Sequence, residues 1–349
     1  MNPVLLNDID DFLLSDMPKL LANKSILITG ATGTIGSYIL CLLSALQNKV
    51  HLNCFAAARN IERLHNLLTI LRSTATPITY SPFEPMNINH PIDYIIHTVS
   101  PTASTFLKNN PADVIKIIFH GTENAISLSQ KKNAKLLFLS SLEVYANLTI
   151  DNVDENTTGI LDIMDTRSCY PLSKILAEHF CFSAFKQNNI DIRIARLAQV
   201  VGGLNTKNDN RMPAQFIRSA LLGKDIILHT KGKHKNPFID IYDATMSFIY
   251  ILLFGEAGNI YNVAAEPNET MTPYETAALI AEKISPQKIK VRFKILEENP
   301  FLKGGSVTMS IDKLKRLGFK PKYGALDSYT RLYKSMKNDE TSQLNWANN

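Results

Sequence analysis

The chain has 349 residues, 45% of them apolar and 20% charged, with a formal net charge of +5. That length buries a substantial core in one large or two closely packed domains, and the composition is that of a globular chain rather than a disordered one. The small net charge argues against a nucleic-acid partner. The sequence also lacks the stretch of about 18 apolar residues that a bilayer-spanning helix needs.

In chain order, residues 1–23 read as an N-terminal extension, partly helical over 4–21. Ser25-Ile26-Leu27-Ile28-Thr29 is a continuous β-rich apolar run, as expected of a strand covered on both faces. It leads into Gly30-Ala31-Thr32-Gly33-Thr34-Ile35-Gly36 and then an apolar helix to about Leu46. Glycines between a strand and a helix permit a tight turn and close backbone approach, and the helix N-terminus offers free N–H groups to a pyrophosphate. Gly30, Thr32, Gly33, Thr34, Ile35 and Gly36 are therefore expected to bind a dinucleotide. A second strand, Leu52 to Ala57, ends at Ala57-Ala58-Arg59-Asn60. An acidic residue there would bind the ribose hydroxyls of NAD. Arg59 suits a 2′-phosphate instead, so NADP(H) is the preferred expectation and NAD(H) the alternative.

A polar helix from Ile61, a strand over Asp93–His97, a helix containing Val114 to Ser129 and a strand over Lys135–Leu139 follow. This alternation predicts a Rossmann-type α/β fold, a doubly wound parallel sheet. Thr98 and Ser100, just past the strand over Asp93–His97, are expected to line the nicotinamide side. Ile190 to Leu197 reads as a strand returning to the sheet and closes a dinucleotide-binding domain over 24–197. Residues 198–337, rich in loops and short elements, are expected to form a smaller, interleaved C-terminal substrate region. Residues 338–349 read as a polar tail. The basic run Lys231-Gly232-Lys233-His234-Lys235 reads as a solvated loop, with contact to a substrate phosphate as the alternative.

The chemistry is expected at Tyr170-Pro171-Leu172-Ser173-Lys174. Tyr170 and Lys174 lie one helical turn apart and share a face. A phenol near its usual pKa of about 10 is a poor base at neutral pH. An adjacent ammonium favours the phenolate. Ser141 is placed to hydrogen-bond the substrate oxygen as its charge changes. Glu143 is either a base or hydroxyl-orienting group, or a solvated carboxylate. The four cysteines have no metal-like spacing and suit a reducing cytoplasm, and no secretory leader is expected. The scattered histidines give no reason to expect a metal.

The glycine loop, Ser141-Leu142-Glu143-Val144-Tyr145, Arg167-Ser168-Cys169-Tyr170 with Lys174, Arg193-Ile194-Ala195-Arg196-Leu197 and Tyr261-Asn262-Val263-Ala264 together resemble the extended short-chain dehydrogenase/reductases acting on nucleotide sugars. The nearest flavour is that of UDP-glucuronate decarboxylases and dTDP-glucose 4,6-dehydratases. The resemblance covers about residues 24–333. It implies an NAD(P)-binding domain, a nucleotide-sugar domain and a homodimer formed through helices of the large domain. It carries catalytic roles to Ser141, Glu143, Tyr170 and Lys174. Leu142 stands where dehydratases keep an acid, which disfavours dehydration because leucine cannot protonate a leaving hydroxide.

On the substrate side, Gln199 replaces a common asparagine and Arg211 matches a diphosphate-binding arginine. Asn236 stands in place of a second arginine, with Lys235 as its possible substitute. Asp240 replaces an aromatic residue. Two uses of one hydride chemistry follow. The first is NADPH-dependent reduction of a nucleotide-linked keto sugar in surface-glycan precursor synthesis, which Arg59 favours and which ranks first. The second is 4-epimerisation or decarboxylation with tightly held, recycled NAD, which Glu143 favours. A nonenzymatic dinucleotide-binding role is the minor third.

Overall fold

The computed structural model describes residues 2–204, 209–295 and 305–341. Its centre is an all-parallel seven-stranded sheet, whose strands we number β1 (Ser25–Thr29), β2 (Asn53–Ala58), β3 (Thr76–Thr79), β4 (Tyr94–His97), β5 (Lys135–Ser141), β6 (Ile192–Leu197) and β7 (Ile260–Val263). Their order is β3-β2-β1-β4-β5-β6-β7. The order reverses beside β1, and this switch point opens the ligand-binding crevice of doubly wound sheets. β3 and β7 are elements that apolar runs alone do not reveal. β3 is a short polar edge strand containing Pro77, and β7 arrives from the C-terminal half, so the two halves are interleaved.

Alternation along each strand feeds two cores. Ile26, Ile28, Leu137, Leu139, Ala195 and Leu197 pack on one face. Leu27, Ile95, Leu136, Phe138, Ile192 and Ile194 pack on the other. Helices α1 (Pro3–Leu14), α2 (Met17–Leu21), α3 (Thr34–Gln47) and α4 (Ile61–Leu71) belong to the first face. α5 (Ser104–Asn109), α6 (Pro111–Lys132) and α7 (Cys169–Asn188) cover the second.

A third core lies in the C-terminal region, where α8 (Met212–Leu221), α10 (Pro273–Leu279) and α12 (Ala325–Thr341) pack with short strands, whereas α9 (Ile241–Phe254) and α11 (Asp312–Lys315) pack into the first core. Phe216, Ile217, Phe238, Ile280 and Tyr329 are among the members of the third core. The expected polar tail begins as helix, since α12 runs to Thr341, and the rest of it lies outside the described residues.

The N-terminal extension is built into the fold. Asp8 on α1 is buried and pairs with Arg331 of α12 at 2.8 Å, and the same guanidinium reaches Asp240 at 3.0 Å. The unusual aspartate at 240 thus has a structural partner, and it also caps α9 by accepting from Tyr242 N.

Candidate active site

β1 delivers the glycine loop to the crevice. Gly30 has φ +73°, and a Cβ there would lie 2.7 Å from Thr98 Oγ1. A Cβ on Gly36 would meet the Gly30 carbonyl oxygen at 2.3 Å, so α3 can pack against the turn only as glycine. Gly33 caps α3 without a side chain, leaving first-turn N–H groups near Thr34 and Ile35 for an anion. Thr32 and Ile35 are half-buried while Gly33 and Thr34 are exposed. Thr98 donates to Thr29 O at 2.7 Å and so ties β4 to the loop. These features fit a dinucleotide pyrophosphate. Arg59 follows β2 directly and is exposed. Among the described residues no carboxylate is ion-paired with it.

The chemical groups converge at the ends of β5 and the start of α7. Ser141, the last residue of β5, accepts from Glu143 N at 3.2 Å and caps the short turn Leu142–Tyr145. Its hydroxyl proton is left to donate elsewhere. Pro171 sits in the first turn of α7, where its missing N–H costs no helical hydrogen bond. Tyr170 and Lys174 are both buried.

Burial pushes the Tyr170 phenol up to about 12, Glu143 adds to the rise, and Ser141, Ser100 and Arg167 oppose it. Ser100 Oγ lies close enough to act on the phenol yet completes no hydrogen bond. Burial lowers Lys174 to about 7, with Glu178 one turn further along α7 opposing the fall. The Lys174 Nζ lies 5.8 Å from the centre of the Tyr170 ring and donates to Leu139 O at 2.8 Å. In this state the lysine is held by the β5 backbone, and desolvation dominates both groups.

Beneath these groups, Arg196 of β6 pairs with Glu178 at 2.8 Å and donates to Tyr145 Oη at 2.9 Å. Tyr145 in turn donates to Asn262 Oδ1 at 2.7 Å. The network locks α7, the turn after β5, β6 and β7 together. It accounts for two of the sequence motifs as support rather than chemistry.

Two groups escaped the sequence reading. Arg167, quoted there without a role, donates from Nη2 to Glu143 Oε1 at 2.8 Å. His97, at the end of β4, bonds Thr29 Oγ1 through Nδ1 at 2.8 Å, and burial and the Lys174 charge lower it to about 3, so it is neutral. A histidine inside an apolar run carries no signal of its own.

On the substrate side, Gln199 and Asn236 meet, with Nδ2 of the asparagine 2.9 Å from Oε1 of the glutamine. The Lys235 ammonium pairs with the exposed Asp151 at 2.9 Å. The Arg211 guanidinium is engaged by Asp209 and by Val200 O at 2.9 Å. These four residues thus split into one amide pair and two separately tethered cations.

The sequence pattern of the NAD dependent epimerase/dehydratase family matches residues 26–264, which span the glycine loop, Ser141, Tyr170, Lys174 and β7. The chain belongs to this family. Among relatives, UDP-glucuronic acid decarboxylase 3 of Arabidopsis thaliana is 30% identical over 284 residues, 80% of this chain and 79% of that protein. The family fold recurs in dTDP-glucose 4,6-dehydratase of Bacillus anthracis in complex with NAD, with a TM-score of 0.73, 17% identity and coverage of 91% and 98% of the two chains. It also recurs in RMD from Pseudomonas aeruginosa complexed with NADPH, with a TM-score of 0.70, 18% identity and coverage of 90% and 100%. At these identities the two structures speak for the fold alone, and proteins of this fold hold either dinucleotide. Among the described residues no helix is long and apolar enough to cross a membrane, and no group of three or more His, Cys, Asp or Glu side chains is placed to hold a metal ion.

Proposed function

We propose that the enzyme transforms a nucleotide-linked sugar by oxidising it and reducing it again within one cycle, with decarboxylation of a uronic-acid sugar as the leading reaction and 4-epimerisation as its nearest variant. The carrying observation is Glu143, held by Arg167 within electrostatic reach of the Tyr170 phenol. A simple reductase needs a hydrogen-bond donor and a proton donor, which Ser141 and Tyr170 already provide. A carboxylate in the same place serves a second bond-changing event beside the carbonyl. The 30% identity to a UDP-glucuronic acid decarboxylase supports the same reading over the NADPH-dependent reductase ranked first from the sequence.

When bound, NAD supplies the hydride acceptor and a positive charge at its ring. Tyr170 takes the proton of the sugar hydroxyl as the hydride leaves its carbon, and Ser141 holds the oxygen that becomes a carbonyl. A carboxylate β to that carbonyl can leave as carbon dioxide, its bonding electrons passing into the enolate. One proton is then taken up at the carbon that lost the carboxylate, with Glu143 placed to hold it. Tyr170 would give its proton back to the oxygen held by Ser141 as the carbonyl is reduced, restoring the hydroxyl. Beyond the N–H given to Leu139 O, Lys174 has two more donors, which would hold the ribose of the bound dinucleotide.

The test is to denature freshly purified enzyme, quantify the nucleotide released, and incubate the enzyme with UDP-glucuronate. Near-stoichiometric NAD(H), carbon dioxide release and no net change in reduced cofactor are expected. Exchangeable NADP(H), with NADPH consumed on a keto-sugar nucleotide, would replace this reading with the reductase, the second reading that Arg59 favours.

The active unit in this proposal is a homodimer. Ile115 of α6 and Leu176 and Phe182 of α7 are exposed apolar side chains on two helices that pack side by side.

A further inference from the structure

The ion pair between Arg167 and Glu143 uses one nitrogen and one oxygen. Arg167 Nη1 and Glu143 Oε2 are each buried without a hydrogen-bond partner, although the two side chains as wholes are 19% and 26% exposed. A buried guanidinium N–H and a buried carboxylate oxygen are costly to leave unmet. Here one spare donor and one spare acceptor belong to the same pair. The pair also borders the reacting group, with Arg167 Cζ 5.9 Å from the centre of the Tyr170 ring and both charges acting on that phenol. Glu143 follows β5 and Arg167 precedes α7, so the pair stands at the carboxyl ends of the strands, where ligands of such sheets bind.

A group able to accept from Nη1 and donate to Oε2 completes the pair. A hydroxyl does both at once. A carboxylate satisfies Nη1 but is repelled by Oε2, and a carbonyl leaves Oε2 unmet. We propose that Arg167 and Glu143 act as one donor–acceptor fork that recognises a hydroxyl of the reacting sugar ring and so fixes which carbon faces Tyr170. This rests on the nucleotide-sugar reading above and adds to it a specificity-determining role for Arg167.

The experiment compares wild type with Arg167→Gln, Arg167→Lys and the double variant Arg167→Gln/Glu143→Gln. Each is made as the full chain and checked for retained dinucleotide. Calorimetry then measures binding of UDP, UDP-glucose, UDP-glucuronate and the deoxy-sugar analogues of UDP-glucose. Arg167→Gln should weaken the UDP-sugars by about 10- to 100-fold while leaving UDP and the dinucleotide content unchanged. One deoxy analogue should bind wild type as weakly as its parent binds the variant. Arg167→Lys should recover part of the loss, and the double variant should be no worse than Arg167→Gln.

Wild-type affinity for UDP-sugars in Arg167→Gln overturns the fork, as does an equal loss for UDP and UDP-sugars or a loss of dinucleotide. A wild type that binds none of these nucleotides removes the UDP-sugar reading and the fork built on it together, and does so before any variant is considered.

Discussion

Ser141, Tyr170 and Lys174 take their positions from a central parallel strand and a twenty-residue helix, whereas Gln199, Arg211, Lys235 and Asn236 sit on three-residue strands, caps and loops. The floor of the cleft is therefore placed by the sheet, and each of its groups is buried on arrival. The residues expected to face the substrate are held by side-chain tethers, Arg211 on the neighbouring Asp209 and Lys235 on the distant Asp151. On the proposed function, chemistry rests on rigid elements, and specificity on short ones that can change without disturbing the sheet. Arg167 and Glu143 stand between the two, on single turns that adjoin rigid elements.

The sharpest break in this comparison is Tyr170→Phe. Turnover should fall by about 10²- to 10⁴-fold with dinucleotide retained, measured by single-turnover kinetics and nucleotide release. Full activity would remove the proton-transfer role from the floor. Next is Glu178→Gln, which leaves Arg196 buried with its charge unmatched. Chemical denaturation should show a loss of about 3–5 kcal/mol, an effect that no single change at Gln199, Arg211, Lys235 or Asn236 should equal.

A third prediction concerns the clamp joining α1, α9 and α12. Burial raises Asp240 to about 6 and Asp243 to about 7, above the usual aspartate value of about 3.9. Between those values the folded chain holds protons that the unfolded chain has released. The contribution of these two groups to stability is then greatest on the acid side and is lost as the pH rises from about 4 to 7. Asp243→Asn, which can still accept from Lys322 N and Tyr323 N, should flatten the dependence of Tm on pH across that window. An unchanged slope would show that Asp243 does not titrate there.

Leu176→Glu should convert a dimer to monomer in sedimentation velocity, and an unchanged particle size would place the interface elsewhere. The smallest effect is expected of exposed Arg59. Arg59→Ala should weaken NADPH by about tenfold relative to NADH, and equal changes for both would make it a general surface charge.

Much of the floor was legible in the sequence because its determinants are local. The strand Ser25–Thr29, the glycines that follow it and the four-residue step from Tyr170 to Lys174 each state their geometry within a few residues. Edge strand β3 was not legible, being short and polar, and β7 was visible only as a motif because its pairing to β6 joins residues some sixty positions apart.

By itself, then, the sequence determined the Rossmann-type sheet, the glycine turn between its first strand and helix and the one-turn step from Tyr170 to Lys174, since turn chemistry, helical spacing and apolar runs are read along the chain. Only the tertiary structure decided that Lys174 is held by Leu139 O, that Asp240 answers Arg331, that Lys235 is drawn to Asp151 and that Arg167 grips Glu143. Each of these is a choice of partner between distant segments. Where the groups are buried, as with Lys174 and Asp240, that choice is sharp, because a charge removed from water must find its counterpart wherever the fold has placed one.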